Sequence, residues 1–361
     1  MLKVQEIYVD GSTRYMLLDS EGSPVLVVTK YLKYLDQIGK AENTLKSYSY
    51  HLKLYFQFLS ENQLDYKDID LNILANFIGW LRSPYQSTKI LTMKGAKARR
   101  SERTVNTILT CIIGFYDYLS RLDQYNNEIS DNVKKEISSR FKTFKPFLHH
   151  ISKGKHISKN ILKLKESKRQ VMHLSQSQVN TLVKSCSNIR DQLLIRMLYE
   201  SGLRIGEALS LWIEDVDIGK NTIIVRKSKT VNGAFRTVYV SAETINLFQD
   251  YLIEFHSGEI DSNYIFINLT GENKGQPLSK EAVYSFVRRL KKKTDIDFTP
   301  HMLRHTFATE LYENGMDIGA VQRLLGHAQV QTTIQTYMHS SDETIRKSYE
   351  EAIDRKGRND G

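Results

Sequence analysis

Apolar residues recur at helical spacing through most of this chain, broken by two stretches in which they alternate instead. The first alternation is N-terminal: Ile7, Val9 and then Tyr15 and Leu17 flank a Gly11-Ser12 turn, which predicts a short hairpin within residues 1–24. From about Val25 to about Leu122 the period becomes helical. Tyr31, Leu32, Tyr34 and Leu35 open one helix. Ala41-Glu42-Asn43-Thr44 starts a second, with Tyr48, Leu52, Tyr55, Phe56 and Leu59 on its apolar side. Asp70 and Asn72 flank the start of a third over 73–81, and Val105, Ile108, Leu109, Ile112, Phe115 and Leu119 mark a fourth.

A second series begins at Ser175-Gln176-Ser177-Gln178, a capping-box pattern followed by Val179, Leu182 and Val183. Residues 191–200 read as a buried helix ending at Ser201-Gly202, and Arg204 opens the next, with Ala208, Leu209 and Trp212 behind it. The second alternation then runs from Asp215 to Val240. Ile223, Val225 and Lys227 alternate, Asn232-Gly233 is a hairpin turn, and Thr237 and Tyr239 alternate back. Helical spacing returns at 242–255 and 279–293. Thr299 and Pro300 are an N-cap and a first helical residue for a helix with Leu303, Phe307 and Leu311 on its apolar side. Asn314-Gly315 ends that helix, and Gly326 ends the next, which carries Val321, Leu324 and Leu325. The fold class is mainly α with a small antiparallel β-sheet.

A length of 361 residues suffices for two domains with their own cores. Lys and Arg outnumber Asp and Glu 51 to 41, a surplus that suits a polyanionic partner without selecting one. Cys111 and Cys186 are too few for a disulfide framework and read as reduced core residues. No apolar run reaches membrane-spanning length, and the N-terminus is not a signal peptide, so the expected location is the cytosol. Composition shifts most at 132–169, where twelve Lys or Arg face only Glu136 and Glu166, as in a basic interdomain linker. His149, His150 and His156 in that stretch lack acidic or thiol companions, so they are not metal ligands. The domain plan is therefore an N-terminal β-rich extension (1–24), a helical domain (25–125), a basic linker (126–170), a larger domain (171–339) and a charged tail (340–361).

The candidate chemistry lies late in the chain. His301 and Arg304 are one helical turn apart and can address one ligand atom. His327 follows Gly326 directly, and Tyr337 lies ten residues further on. So many cationic donors suit a phosphate better than a carboxylate. His301 with His305 also forms H-x-x-x-H, but Met302 stands where a zinc protease needs Glu, and no phosphate-binding P-loop is present.

The order H-x-x-R, L-L-G-H and a following tyrosine resembles the second signature box of the tyrosine recombinases, the phage-integrase family. Gly202-Leu203-Arg204, about a hundred residues upstream, and Ser228-Lys229-Thr230 on a hairpin complete the resemblance. It implies a two-domain clamp around duplex DNA, a helical core-binding domain plus a mixed α/β catalytic domain. It also implies a catalytic set of Arg204, Lys229, His301, Arg304, His327 and the nucleophile Tyr337. The two arginines and His327 would stabilise charge on the phosphate. His301 would donate to the phosphate or move the tyrosine proton, and Lys229, or else Lys227, would protonate the leaving 5′ oxygen. Glu207 braces Arg204 or a helix start rather than transferring protons, and His305 is structural. The link formed is a 3′-phosphotyrosine, so the reaction needs no metal and no nucleotide, and no cofactor is expected.

The partners implied are double-stranded DNA at a specific site and further copies of the chain, as a tetramer on two duplexes, with or without a second recombinase. The basic loop at 94–103, with Lys94, Lys97, Arg99, Arg100 and Arg103, and the linker residues Lys153 and Lys155 are candidate contacts to the DNA backbone. The tail, with a short charged helix around Ile345 to Ile353, would dock on a neighbouring copy. Within the family the chain is most similar to the recombinases of site-specific transposons, with phage and conjugative-element integrases as alternatives. Two other classes compete: a type IB topoisomerase using the same chemistry, and a DNA-binding protein that has lost the reaction.

Overall fold

The computed structural model describes residues 1–9, 11–83, 98–122, 134–137, 157–160, 162–166, 172–226, 228, 234–256, 258 and 260–326, with the backbone alone for 134–137 and 157–160. The chain divides into two units, Met1–Lys168 and Arg169–Gly361.

In the first unit, β1 (Lys3–Val9) and β2 (Ser12–Leu18) form an antiparallel hairpin, registered from Lys3 opposite Leu18 to Val9 opposite Ser12. Alternate residues of β2 face inward: Tyr15 and Leu17 are buried in the same core as the helices. Those helices are α1 (Leu26–Gln37), α2 (Glu42–Glu61), α3 (Leu71–Arg82) and α4 (Glu102–Arg121), in the order that the hydrophobic period predicts. Two begin on side-chain caps, Asp70 accepting from the Ile73 N–H and Ser101 from the Thr104 N–H, which satisfies donors the first turn leaves open. The core is rich in rings. Tyr31, Tyr55, Phe77, Phe115 and Tyr116 are all buried, with Tyr55 edge-on to Phe77 at 5.0 Å between centroids.

The basic stretch expected as a linker has structure of its own. β3 (Lys134–Ile137) and β4 (Ile157–Asn160) pair antiparallel. Leu162 and Leu164 then pack on the helical core. Asn106 of α4 holds this segment, donating to the Leu164 carbonyl (3.0 Å) and the Glu166 carboxylate (2.8 Å) and accepting from the Leu164 N–H (2.8 Å). Four-residue strands carrying lysines give too little apolar alternation for the sequence to show them.

The second unit has α5 (Gln176–Ser185), α6 (Ile189–Ser201), the single turn α7 (Ile205–Ala208), a three-stranded antiparallel sheet and four further helices. The sheet order is β5 (Val216–Asp217), β6 (Thr222–Val225), β7 (Arg236–Tyr239). α8 (Ala242–Phe255), α9 (Lys280–Thr294), α10 (Pro300–Glu313) and α11 (Ile318–Leu325) follow. α5 opens with the complete Ser175–Gln178 capping box. Leu193, Leu194, Leu198, Ile223, Val238, Phe248 and Leu303 share one core across α6, the sheet, α8 and α10. Cys111 and Cys186 are both buried and unbridged, each in its own unit. Among the described residues, no helix is long and apolar enough to cross a membrane.

Candidate functional site

The site grows from the ends of three short helices. α10 starts as its sequence dictates, with Thr299 accepting from the Met302 N–H and Pro300 in the first turn. Leu303 anchors it in the core, which fixes Arg304 inward, with His301 one turn before it and His305 one turn after His301. α6 ends at Gly202 in the left-handed region (φ 62°), and a Cβ there would collide with the ring of Phe307. Only glycine meets both demands, and the turn it makes delivers Arg204 as the N-cap of α7. α11 ends at Gly326, also left-handed (φ 62°), whose N–H meets the Arg323 carbonyl (3.0 Å), while the Leu324 and Leu325 carbonyls are met from other elements.

Glu207 stands at the centre. It is 3% exposed, and its oxygens receive the Arg204 N–H (2.9 Å), the Arg204 guanidinium (2.8 Å), the Ser228 hydroxyl (2.6 Å) and the Arg236 guanidinium (2.7 Å). Arg304 Nη1 lies 3.9 Å away as well. Burial by itself would raise this carboxyl. The hydrogen bonds and charge of Arg236, the Ser228 hydroxyl and the Arg204 N–H outweigh it and hold the pKa at about 2. One carboxylate thus serves three guanidiniums, and the cluster of these four side chains carries two positive charges in excess.

Arg304 is 1% exposed. Its Nη1 donates to the Gly202 carbonyl and its Nη2 to the Leu325 carbonyl, each at 2.6 Å. The guanidinium therefore bridges the end of α6 to the end of α11. His301 remains open to solvent on one side, and its ring meets His305 edge to face at 4.2 Å between centroids. Partial burial, with Arg304 and Arg204 nearby, lowers the His301 pKa. His305 is lowered further, to about 4, by burial and by His301 and Arg304. Both imidazoles are neutral at pH 7, so His301 can accept a proton or donate one N–H to an anion.

Of the residues expected from sequence, the structure brings Arg204 and Arg304 to one carboxylate and sets His301 beside them. Lys227, Lys229, His327 and Tyr337 lie outside the described residues, as do Lys94, Lys97, Lys153 and Lys155. Arg99 and Arg103 are exposed ahead of and on α4. Arg100 donates to the Leu81 carbonyl at the end of α3 (3.1 Å), so part of its fork is used inside the fold.

Sequence reasoning missed Arg236 and Ser228. A signal for Arg236 exists: it shares strand parity with Val238, and those two face inward while Thr237 and Tyr239 face out.

Known proteins place the whole chain. Residues 172–344 match the model of the phage integrase family, and residues 28–122 match that of the phage integrase N-terminal SAM-like domain. The chain is 42% identical over 364 residues to transposase A from transposon Tn554 of Staphylococcus aureus (strain Mu50 / ATCC 700699), covering 98% of this chain and 99% of that protein. It is 27% identical over 326 residues to tyrosine recombinase XerA of Pyrococcus horikoshii, covering 90% and 93%. In fold it is similar to the Tn1549 transposon integrase solved in complex with a circular intermediate DNA. That match has a TM-score of 0.61 at 18% identity, over 90% of this chain and 99% of that one. A central acid with arginines from three separate segments, on a chain matched from end to end in this way, has one assignment: the chain belongs to the phage integrase family of tyrosine recombinases.

Proposed function

We propose that this recombinase moves a DNA element into or out of a specific site by attack of Tyr337 on a DNA phosphodiester. The observation that carries it is the buried centre in which one carboxylate, Glu207, is shared by Arg204, Arg236 and Arg304. Such a centre favours an added anion, and a phosphodiester supplies one whose charge grows as it is attacked. Arg204 and Arg304 stabilise its non-bridging oxygens, and His327 is a further donor. His301, held neutral at pH 7, takes the phenol proton or donates to the same phosphate. Tyr337 oxygen forms a bond to phosphorus, the bond to the 5′ oxygen breaks, and Lys229 gives that oxygen its proton. The reverse attack by a 5′ hydroxyl rejoins DNA. The phosphotyrosyl link keeps the energy of the bond it replaced, so neither metal nor nucleotide enters the scheme.

The partner is double-stranded DNA, and the active assembly is four copies on two duplexes, exchanging strands in turn through a Holliday junction in the cytoplasm. The tail at 340–361 links neighbouring copies. Arg99, Arg100 and Arg103 lie on backbone phosphates together with Lys94, Lys97, Lys153 and Lys155, with one nitrogen of Arg100 kept on the Leu81 carbonyl. The 42% identity to a transposase along nearly all of both chains favours transposition over phage integration.

The test mixes the protein with nicked suicide duplexes spanning the DNA that flanks its gene. A covalent adduct that disappears in Tyr337→Phe, with DNA affinity kept within about threefold, is the expected result. An adduct that persists in that variant removes Tyr337 from the role of nucleophile.

A further inference from the structure

We infer that Arg236 is a positioning residue for strand cleavage: it holds Glu207 and the carbonyl end of α11 so that Arg204 and Arg304 stay arrayed for the phosphate. This rests on the recombinase function proposed above and adds a residue to it.

Arg236 occupies an inward position on β7, where its neighbours facing the core are Val238 and, across the strand pair, Ile223 and Val225. Burying a guanidinium there is costly unless its donors are met. They are met by two different parts of the site. Nη2 donates to Glu207 at 2.7 Å, and Nε donates to the Leu324 carbonyl at 2.8 Å. The next carbonyl, that of Leu325, is taken by Arg304. Two arginines from separate elements therefore close successive carbonyls at the end of α11, where the helix dipole favours cations.

This geometry joins segments that each carry a proposed catalytic residue. β6 and β7 flank the stretch holding Lys229, Arg204 caps the start of α7, and α11 leads into His327 two residues after Leu325. Arg236 touches all three through one side chain and itself makes no approach to the phosphate in the scheme. The groups facing Glu207 are Arg204 on its own turn, the Ser228 hydroxyl after β6, Arg236 on β7 and Arg304 on α10. On α9, the Lys280 Nζ lies 3.5 Å from where a Cβ on Gly206 would stand. Without Arg236 the carboxylate loses its closest charged partner from another element. Arg304, already at 3.9 Å, is then drawn toward Glu207 and away from the substrate.

The test compares the full-length wild type, Arg236→Met, Arg236→Lys and Arg236→Met combined with Glu207→Gln. Single-turnover formation of the Tyr337 adduct is measured at saturating duplex, alongside duplex affinity. Arg236→Met is expected to slow adduct formation about 100-fold with affinity within about threefold, and the double variant to recover at least about tenfold of that loss, because removing both charges frees Arg304. Arg236→Lys, which keeps the charge without the fork, falls between wild type and Arg236→Met. Wild-type cleavage by Arg236→Met, or a double variant no faster than the single one, overturns the inference.

A second readout needs no cleavage. Glu207 titrates near 2 in the folded wild type, below its unfolded value, so its stabilising contribution is present at neutral pH and is lost as pH falls below about 4.5. In Arg236→Met the carboxyl titrates higher, and protonation relieves an uncompensated charge. The melting-temperature gap between wild type and Arg236→Met should therefore narrow from pH 7 to pH 4. A gap constant with pH assigns Arg236 to packing alone and overturns the positioning role. If wild type forms no adduct on any duplex, the recombinase scheme falls and takes the link to cleavage with it. The pH-dependent gap then still reports whether Arg236 balances Glu207.

Discussion

The two units bury polar groups in opposite ways. In the first, a buried pair of hydroxyls is neutral: Tyr116 donates to the Tyr66 carbonyl at 2.9 Å and accepts from Tyr55 at 2.7 Å. In the second, a carboxylate and three guanidiniums meet where the core would otherwise be apolar. Neutral hydroxyls satisfied one for one add rigidity at little electrostatic cost. A charge cluster with more cations than anions does not balance by itself and gains from a bound anion. The contrast separates a unit built for shape from one built to receive charge.

Breaking the charged centre should have the largest effect. Arg304→Met leaves the Gly202 and Leu325 carbonyls without their buried donor and should cost about 3–5 kcal/mol of stability in the second unit. Adduct formation should fall by about 10²–10³-fold or more, measured by single turnover below the melting point. A variant that keeps wild-type cleavage would show that the cluster is only structural.

Backbone substitutions sharpen the comparison on equal chemistry. Gly202→Ala must hold a left-handed residue against Phe307, at about 2–4 kcal/mol, and should shift Arg204 with it. Gly114→Ala in the first unit meets the Tyr31 hydroxyl at 2.8 Å and should cost about 1–3 kcal/mol without changing the cleavage step. Denaturant unfolding and adduct rates, taken together, separate the two. Equal losses of cleavage per unit of stability would erase the distinction between the units.

The smallest effect is expected from Tyr55→Phe. It removes one buried hydrogen bond while Tyr116 keeps its bond to Tyr66, so about 1 kcal/mol is lost and cleavage is unchanged. A loss several times larger would mean that the hydroxyl pair organises the aromatic core rather than merely closing it.

The local signals in the sequence carried far. Thr299 and Pro300, Ser175 with Gln178, Asp70, Gly202 and Gly326 all mark helix ends where the structure has them. Each acts on backbone groups within four residues, and such effects are written in consecutive letters. The basic stretch at 132–169 was harder. Its strands are four residues long, and its anchorage through Asn106 spans 58 residues to Leu164 and 60 to Glu166.

What the sequence determined by itself was the succession of helices and the small sheet, while the resemblance to a known family was what grouped Arg204 with His301 and Arg304. Periodicity and capping are enough for the elements, because they depend on neighbours along the chain. Only the tertiary structure decided that Glu207 would be the common partner, that Arg236 would turn inward to meet it across 29 residues, and that Arg304 would hold two helix ends 102 and 21 residues away. Those choices depend on which faces meet when α6, β7, α10 and α11 pack together. A buried charge takes whatever partner that packing brings within about 3 Å.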